Sequence, residues 1–118
     1  MNQQSFRERY ERVAWPQQLG NLASTLARLS SRCSHPEYDP LVTNLLRETA
    51  LLIEWSAPHT PPAVHFDLAA MQREAMAWRQ NWPLDQARHL LALRARQMSE
   101  ALLRVANLGA PSRPTQNT

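Results

Sequence analysis

Ten carboxylates, four histidines and one cysteine are the groups from which this 118-residue chain would have to build any chemistry. Helical proteins hold di-metal centres with Glu-x-x-His on two helices plus further inward glutamates. Here no acidic residue has a histidine three places on. Asp85 and His89 stand four apart, a single ligand pair where a site needs more. Cys33, His35 and Glu37 alternate along a predicted loop with spacing a metal could use, yet a zinc site usually takes four ligands. His59 and His65 would have to fold in from a proline-rich segment. The expectation is no metal and no cofactor, with the loop histidines in solvent.

Nucleophilic catalysis has equally little to work with. Cys33 keeps step with Leu26 and Leu29 on one predicted helix, the place of a small buried hydrophobe rather than a reactive thiol. No Gly-rich phosphate loop, dinucleotide fingerprint or Ser-centred elbow is present. We therefore expect a protein that is not an enzyme, with no catalytic residues. The lone cysteine rules out an intrachain disulfide and fits a reducing compartment. No run of apolar residues approaches the roughly 18 needed to cross a membrane, and the polar N-terminal segment lacks a signal-peptide core. Together these predict a cytoplasmic protein with no membrane contact.

All 13 basic residues are arginines, and they face 10 acids for a net charge of +3. The sequence pI near 10.0 looks like that of a nucleic-acid binder. It follows instead from the lack of groups that titrate just below arginine. Charge is unevenly spread, with residues 1–35 and 83–118 basic and residues 36–66 acidic, a pattern that neighbouring helices of opposite sign explain without a polyanion. Arg73, Arg79, Arg88, Arg96 and Arg104 are the candidate phosphate contacts, but Glu74, Asp85 and Glu100 interrupt them. Arg94 is the most informative single charge. It falls between Ala87 and Ala101 on the apolar face of the last helix, where an unpaired guanidinium is very costly. A carboxylate must meet it, and Glu48 and Glu54 are the candidates, within the chain or from a second subunit.

The elements that position these groups are helices. An apolar share of 43%, rich in Leu and Ala with few β-branched residues, predicts an all-α protein. A short helix is expected from about Phe6 to Ala14, opened by a Ser5/Glu8 capping box. Pro16 breaks or kinks the chain near Trp15, and a second helix runs from there to about Arg32. Asp39 as N-cap with Pro40 at the first helical position starts a third, which ends near Ser56 and is the most apolar. The fourth follows Asp67 with Leu68, Met71, Ala75, Trp78 and Trp82 inward. The fifth spans about Leu84 to Leu108, with Gly109 as its cap. The segment from Pro58 to Val64, with three prolines, reads as a stiff extended crossing. The result is an antiparallel four-helix bundle with a short extra N-terminal helix, one domain over 1–109, and a disordered tail over 110–118.

Gly20 sits in the middle of the second helix, where glycine costs roughly 1 kcal/mol against alanine. It begins a stripe of small side chains: Gly20, Ser24, Ala27 and Ser31. Close contact with a neighbouring helix of the same chain would explain the stripe, as would contact with a second molecule. Met76 and Leu103 lie off the main apolar seams of their helices, as partner-facing residues would.

The run Trp15-Pro16-Gln17-Gln18-Leu19-Gly20-Asn21-Leu22-Ala23, together with Leu45-Leu46-Arg47-Glu48 and Ile53-Glu54-Trp55, resembles small uncharacterised helical proteins of cyanobacteria. That resemblance implies a bacterial cytosolic setting, and carries no activity, cofactor or site residue with it. The leading expectation is a non-catalytic helical module that binds a protein partner and forms a homodimer. Its contact residues would be Gly20, Ser24, Ala27, Ser31, Met76, Arg94 and Leu103. The alternative is a nucleic-acid-binding regulator using the arginines of the last two helices.

Overall fold

The computed structural model describes residues 3–109, and the expected disordered tail over 110–118 lies outside them. The described residues form an all-α fold of five helices: α1 Gln3–Glu11, α2 Trp15–Arg32, α3 Asp39–Ser56, α4 His65–Asn81 and α5 Arg88–Gly109. Short 3-10 turns occupy most of the connections. The expected extended crossing between α3 and α4 is one such place. Pro58 and Pro62 sit in two 3-10 turns, Ala57–His59 and Pro62–Val64, while Pro61 between them stays extended, because the fixed φ of proline suits a turn as well as an extended chain.

The leucine spacing of α2 places Leu19, Leu22, Leu26 and Leu29 at the centre of the core, each with no exposed surface. Leu46 and Ile53 of α3, Leu68 and Ala75 of α4, and Leu91, Ala95 and Leu102 of α5 complete it. The closest pairing is between α2 and α5, which run antiparallel. Ser99 Oγ donates to the Ala23 carbonyl at 2.8 Å, and Ser30 Oγ donates to the Ala92 carbonyl at 2.7 Å. Small residues on both sides (Ala23 and Ser30 facing Ala92 and Ser99) let the two backbones approach, and the hydroxyls bind carbonyls across the gap. The same register carries Gly109 to Trp15. A Cβ at Gly109 would collide with the Trp15 ring, and its φ is not positive. Gly109 is therefore small to make room for an indole, not to cap the helix in a left-handed conformation.

The break between α1 and α2 is complete, so the two are separate helices. Gln18 is fully buried at the elbow and donates its amide to the carbonyls of Tyr10 and Val13 at 3.2 and 3.1 Å. The Tyr10 carbonyl, in the last turn of α1, also accepts the Val13 N–H at 3.3 Å, and Val13 lies just past the helix end. Tyr10 then locks α1 down. Its hydroxyl donates to the Gln18 carbonyl at 2.8 Å and shares a hydrogen bond with the Ser56 hydroxyl of α3. Phe6 and Tyr10 pack on the Trp55 ring, with centroids 5.6 and 5.9 Å away. α1 begins at Gln3, before the predicted capping box at Ser5.

α3 packs on both α2 and α4, whereas α4 and α5 are bridged by long side chains. No helix among the described residues is long and apolar enough to cross a membrane.

Candidate functional site

Four helix ends meet at Arg88, the first residue of α5. Its Nε and Nη2 reach Asp85 at 2.9 and 2.7 Å, and Nη1 and Nη2 grip Asp39 at 2.7 and 2.9 Å. Nη1 also donates to the Cys33 carbonyl at 3.1 Å, at the end of α2. Five nitrogen–oxygen contacts thus match the five N–H donors of a guanidinium. The Trp82 ring, just past the end of α4, lies 5.1 Å from the guanidinium carbon. These bonds hold the Asp39 carboxyl below its ordinary range, chiefly through Arg88, and raise the pKa of Arg88 in turn. Arg88 is therefore a structural clamp and is not available to a phosphate, which removes it from the expected arginine patch. The Asp39 side chain does not cap α3 either. Tyr38 holds the N-cap position, and the carboxylate is spent on Arg88.

Cys33 is fully buried beneath this clamp, and burial pushes its thiol pKa up, away from nucleophilic reactivity. The remaining polar candidates are dispersed. His59 contacts Glu11 at 3.4 Å, and His65 contacts the Thr60 carbonyl at 3.1 Å. Among the described residues no three His, Cys, Asp or Glu side chains gather as a metal site would require.

Arg94 does find a carboxylate, but neither of those expected. Its Nε and Nη2 bind Glu74 of α4 at 2.9 and 2.7 Å, while Nη1 donates to Gln97. The pair lowers the Glu74 pKa and raises that of Arg94. Its partner lies within the chain, and the side chain is 39% exposed, so it is an ion pair at the bundle edge. Glu48 instead accepts from Thr25 and faces Arg28, both on α2, and Glu54 is exposed. The wheel of α5 placed Arg94 correctly towards a neighbouring helix. What it lacked was the identity of that neighbour, α4 rather than α3.

The small-residue stripe is at the surface. Ser24, Ala27 and Ser31 are exposed, and a Cβ built on Gly20 meets nothing within 4 Å. Among the described residues no helix uses the space, so close packing between them does not explain Gly20. The α2–α5 register sets Leu103, 47% exposed, at about the level of Gly20 along the helix pair.

A groove of about 520 Å³ between α3 and α4 brings together residues from both lists of expectations. Ala50 and Leu51 of α3 face Met76 and Ala77 of α4 and give it apolar walls. Gln72 crosses its base, donating to the Ala50 carbonyl at 3.0 Å. Arg47, Arg73 and Arg79 stand around it, all exposed, and form no ion pair among the described residues. Glu54 is the one acid in the lining. Arg96 and Arg104 are exposed on α5 and take no part in the groove. The five predicted phosphate contacts therefore do not form one patch: one is the clamp, two line the α3–α4 groove, and two lie elsewhere.

Arg47 was not singled out from the sequence. Its signal was present as a charge on the outer side of an otherwise acidic helix, opposite the leucine seam. The exposed Phe66, Leu90 and Leu93 were also missed, because apolar residues within an apolar-rich helix give no sign of facing outward.

Comparison of the chain with protein-family models, with curated proteins and with solved structures gives no match.

Proposed function

We propose that this chain is a non-catalytic interaction module that binds a protein partner through the α3–α4 groove. The observation that carries this reading is the pairing of apolar walls with three arginines that form no ion pair among the described residues. Arg7, Arg28, Arg88 and Arg94, by contrast, each meet an acid. Helix-in-groove recognition needs an apolar trough for one face of the incoming helix and charges that fix its register. The occupant that suits this groove is an amphipathic helix with an acidic edge. A reducing cytoplasmic setting accords with a single, buried cysteine.

Nucleic acid is the second reading, favoured by the same three exposed arginines. The apolar walls speak against it, since phosphate contacts need cations and hydrogen-bond donors rather than Leu51 and Met76. Titration with DNA at two salt concentrations separates the two, because phosphate neutralisation imposes a steep salt slope.

The interaction reading is tested by capturing partners from the native host with the wild type and with Met76→Glu/Arg79→Glu. Proteins that the wild type retains and the variant loses, while Arg96→Glu/Arg104→Glu still retains them, are the expected result. Equal retention by both variants contradicts the groove as the contact surface.

A further inference from the structure

We infer that a second copy of this chain occupies the groove, in a two-fold arrangement that sets the α1 edge of each copy on the arginines of the other. The inference rests on the interaction reading above and names its partner. On the outer side of α3 lies a second cleft, between α3 and α1, lined by Glu8 and Glu11 of α1. It shares Leu51 and Glu54 with the α3–α4 groove, so the two are one continuous trough with α3 along its middle.

Charge is segregated across that trough. On the α1 side, Arg7 is engaged by Glu11 at 3.5 Å and stacks on Trp55, while Glu8 of α1 and Glu54 on the shared α3 ridge have no ion pair among the described residues. On the α4 side, Arg73 and Arg79 are equally free. A two-fold axis near Leu51 exchanges the two sides, so the acidic edge of one copy faces the basic edge of the other, twice. Superposition of like edges is disfavoured by the same charges. The α1 edge of this chain is thus itself the acidic helical surface that the groove fits. The apolar centre, Leu51 and Met76, is small, so the dimer is held substantially by charge and weakens as salt rises.

Sedimentation velocity on the full chain at high micromolar concentration and low salt tests this. The wild type is expected as a dimer that dissociates on adding salt. Arg73→Glu/Arg79→Glu and Glu8→Arg/Glu54→Arg are each expected to be monomeric, because each sets like charges against one another at both contacts. An equimolar mixture of the two variants is expected to recover the dimer, since every reversed edge then meets a reversed partner. Helical circular dichroism of each variant shows that it is folded. A monomeric wild type overturns the second-copy inference and leaves the groove itself to the capture experiment. Dimeric variants, or no recovery on mixing, overturn it equally.

Discussion

Arg88 and Asp39 stand forty-nine residues apart and form a two-pronged ion pair at 2.7 and 2.9 Å that closes one end of the bundle. The guanidinium sits where α2 ends and α3 begins, so it meets the Cys33 carbonyl at the end of one helix and an acid in the first turn of the next. Both placements agree with the helix dipoles.

Removing Arg88 leaves the buried Cys33 carbonyl and the half-buried Asp39 carboxylate without their donor, which costs more than the pair contributes. Arg88→Met should lower the thermal midpoint more than any substitution of an exposed arginine such as Arg96. Because the Asp39 and Glu74 pKa values are lowered in the folded state, their contributions are present above the ordinary carboxylate range. They are lost as pH falls through those lowered values. The stability of Asp39→Asn followed from neutral pH down to about 2 should therefore decline less steeply than that of the wild type.

Gly20→Ala should stabilise the protein by about 0.5–1 kcal/mol, since the added methyl meets nothing and the unfolded chain loses freedom. Chemical denaturation measures this directly. Gly20→Leu with Ala27→Leu should likewise leave the monomer folded. Loss of self-association in that double variant, with Arg73→Glu/Arg79→Glu still dimeric, would move the contact from the groove to the α2 stripe.

Burial pushes the Tyr10 hydroxyl up to about 12, against the stabilising bond from Ser56. A raised acid favours its neutral form in the folded state, so this contribution is intact below 10.0, the value taken for an unperturbed tyrosine, and is lost as pH climbs towards about 12. Tyr10→Phe should cost about 1–3 kcal/mol at neutral pH through the unmet groups it leaves. It should also remove the alkaline decline, which denaturation curves across that range resolve.

The helices were legible because proline and periodicity both speak at short range. Pro16 and Pro40 sit in the first turns of α2 and α3, and the leucines of α2 are all in the core. The buried Cys33 was legible for the same reason. The partners of polar side chains were not. Asp39 satisfies the local pattern for an N-cap, yet a bidentate arginine from the far end of the chain outweighs one capping bond. Gly109 matches a C-cap by position, while its actual constraint is an indole from the start of α2. Gln18 carries no sign in the sequence that it fills an elbow. The groove was illegible for a further reason: it exists only once α3 and α4 are side by side, and its arginines come from both.

A photoreactive residue placed at Met76, in the native host, reports what the groove touches. A covalent adduct with a protein, a second copy of the chain included, is expected there, and no comparable adduct from the same residue placed at Ser31. Crosslinks to nucleic acid, an equal yield at Ser31, or no adduct at Met76 would contradict the groove as the contact surface for a protein partner.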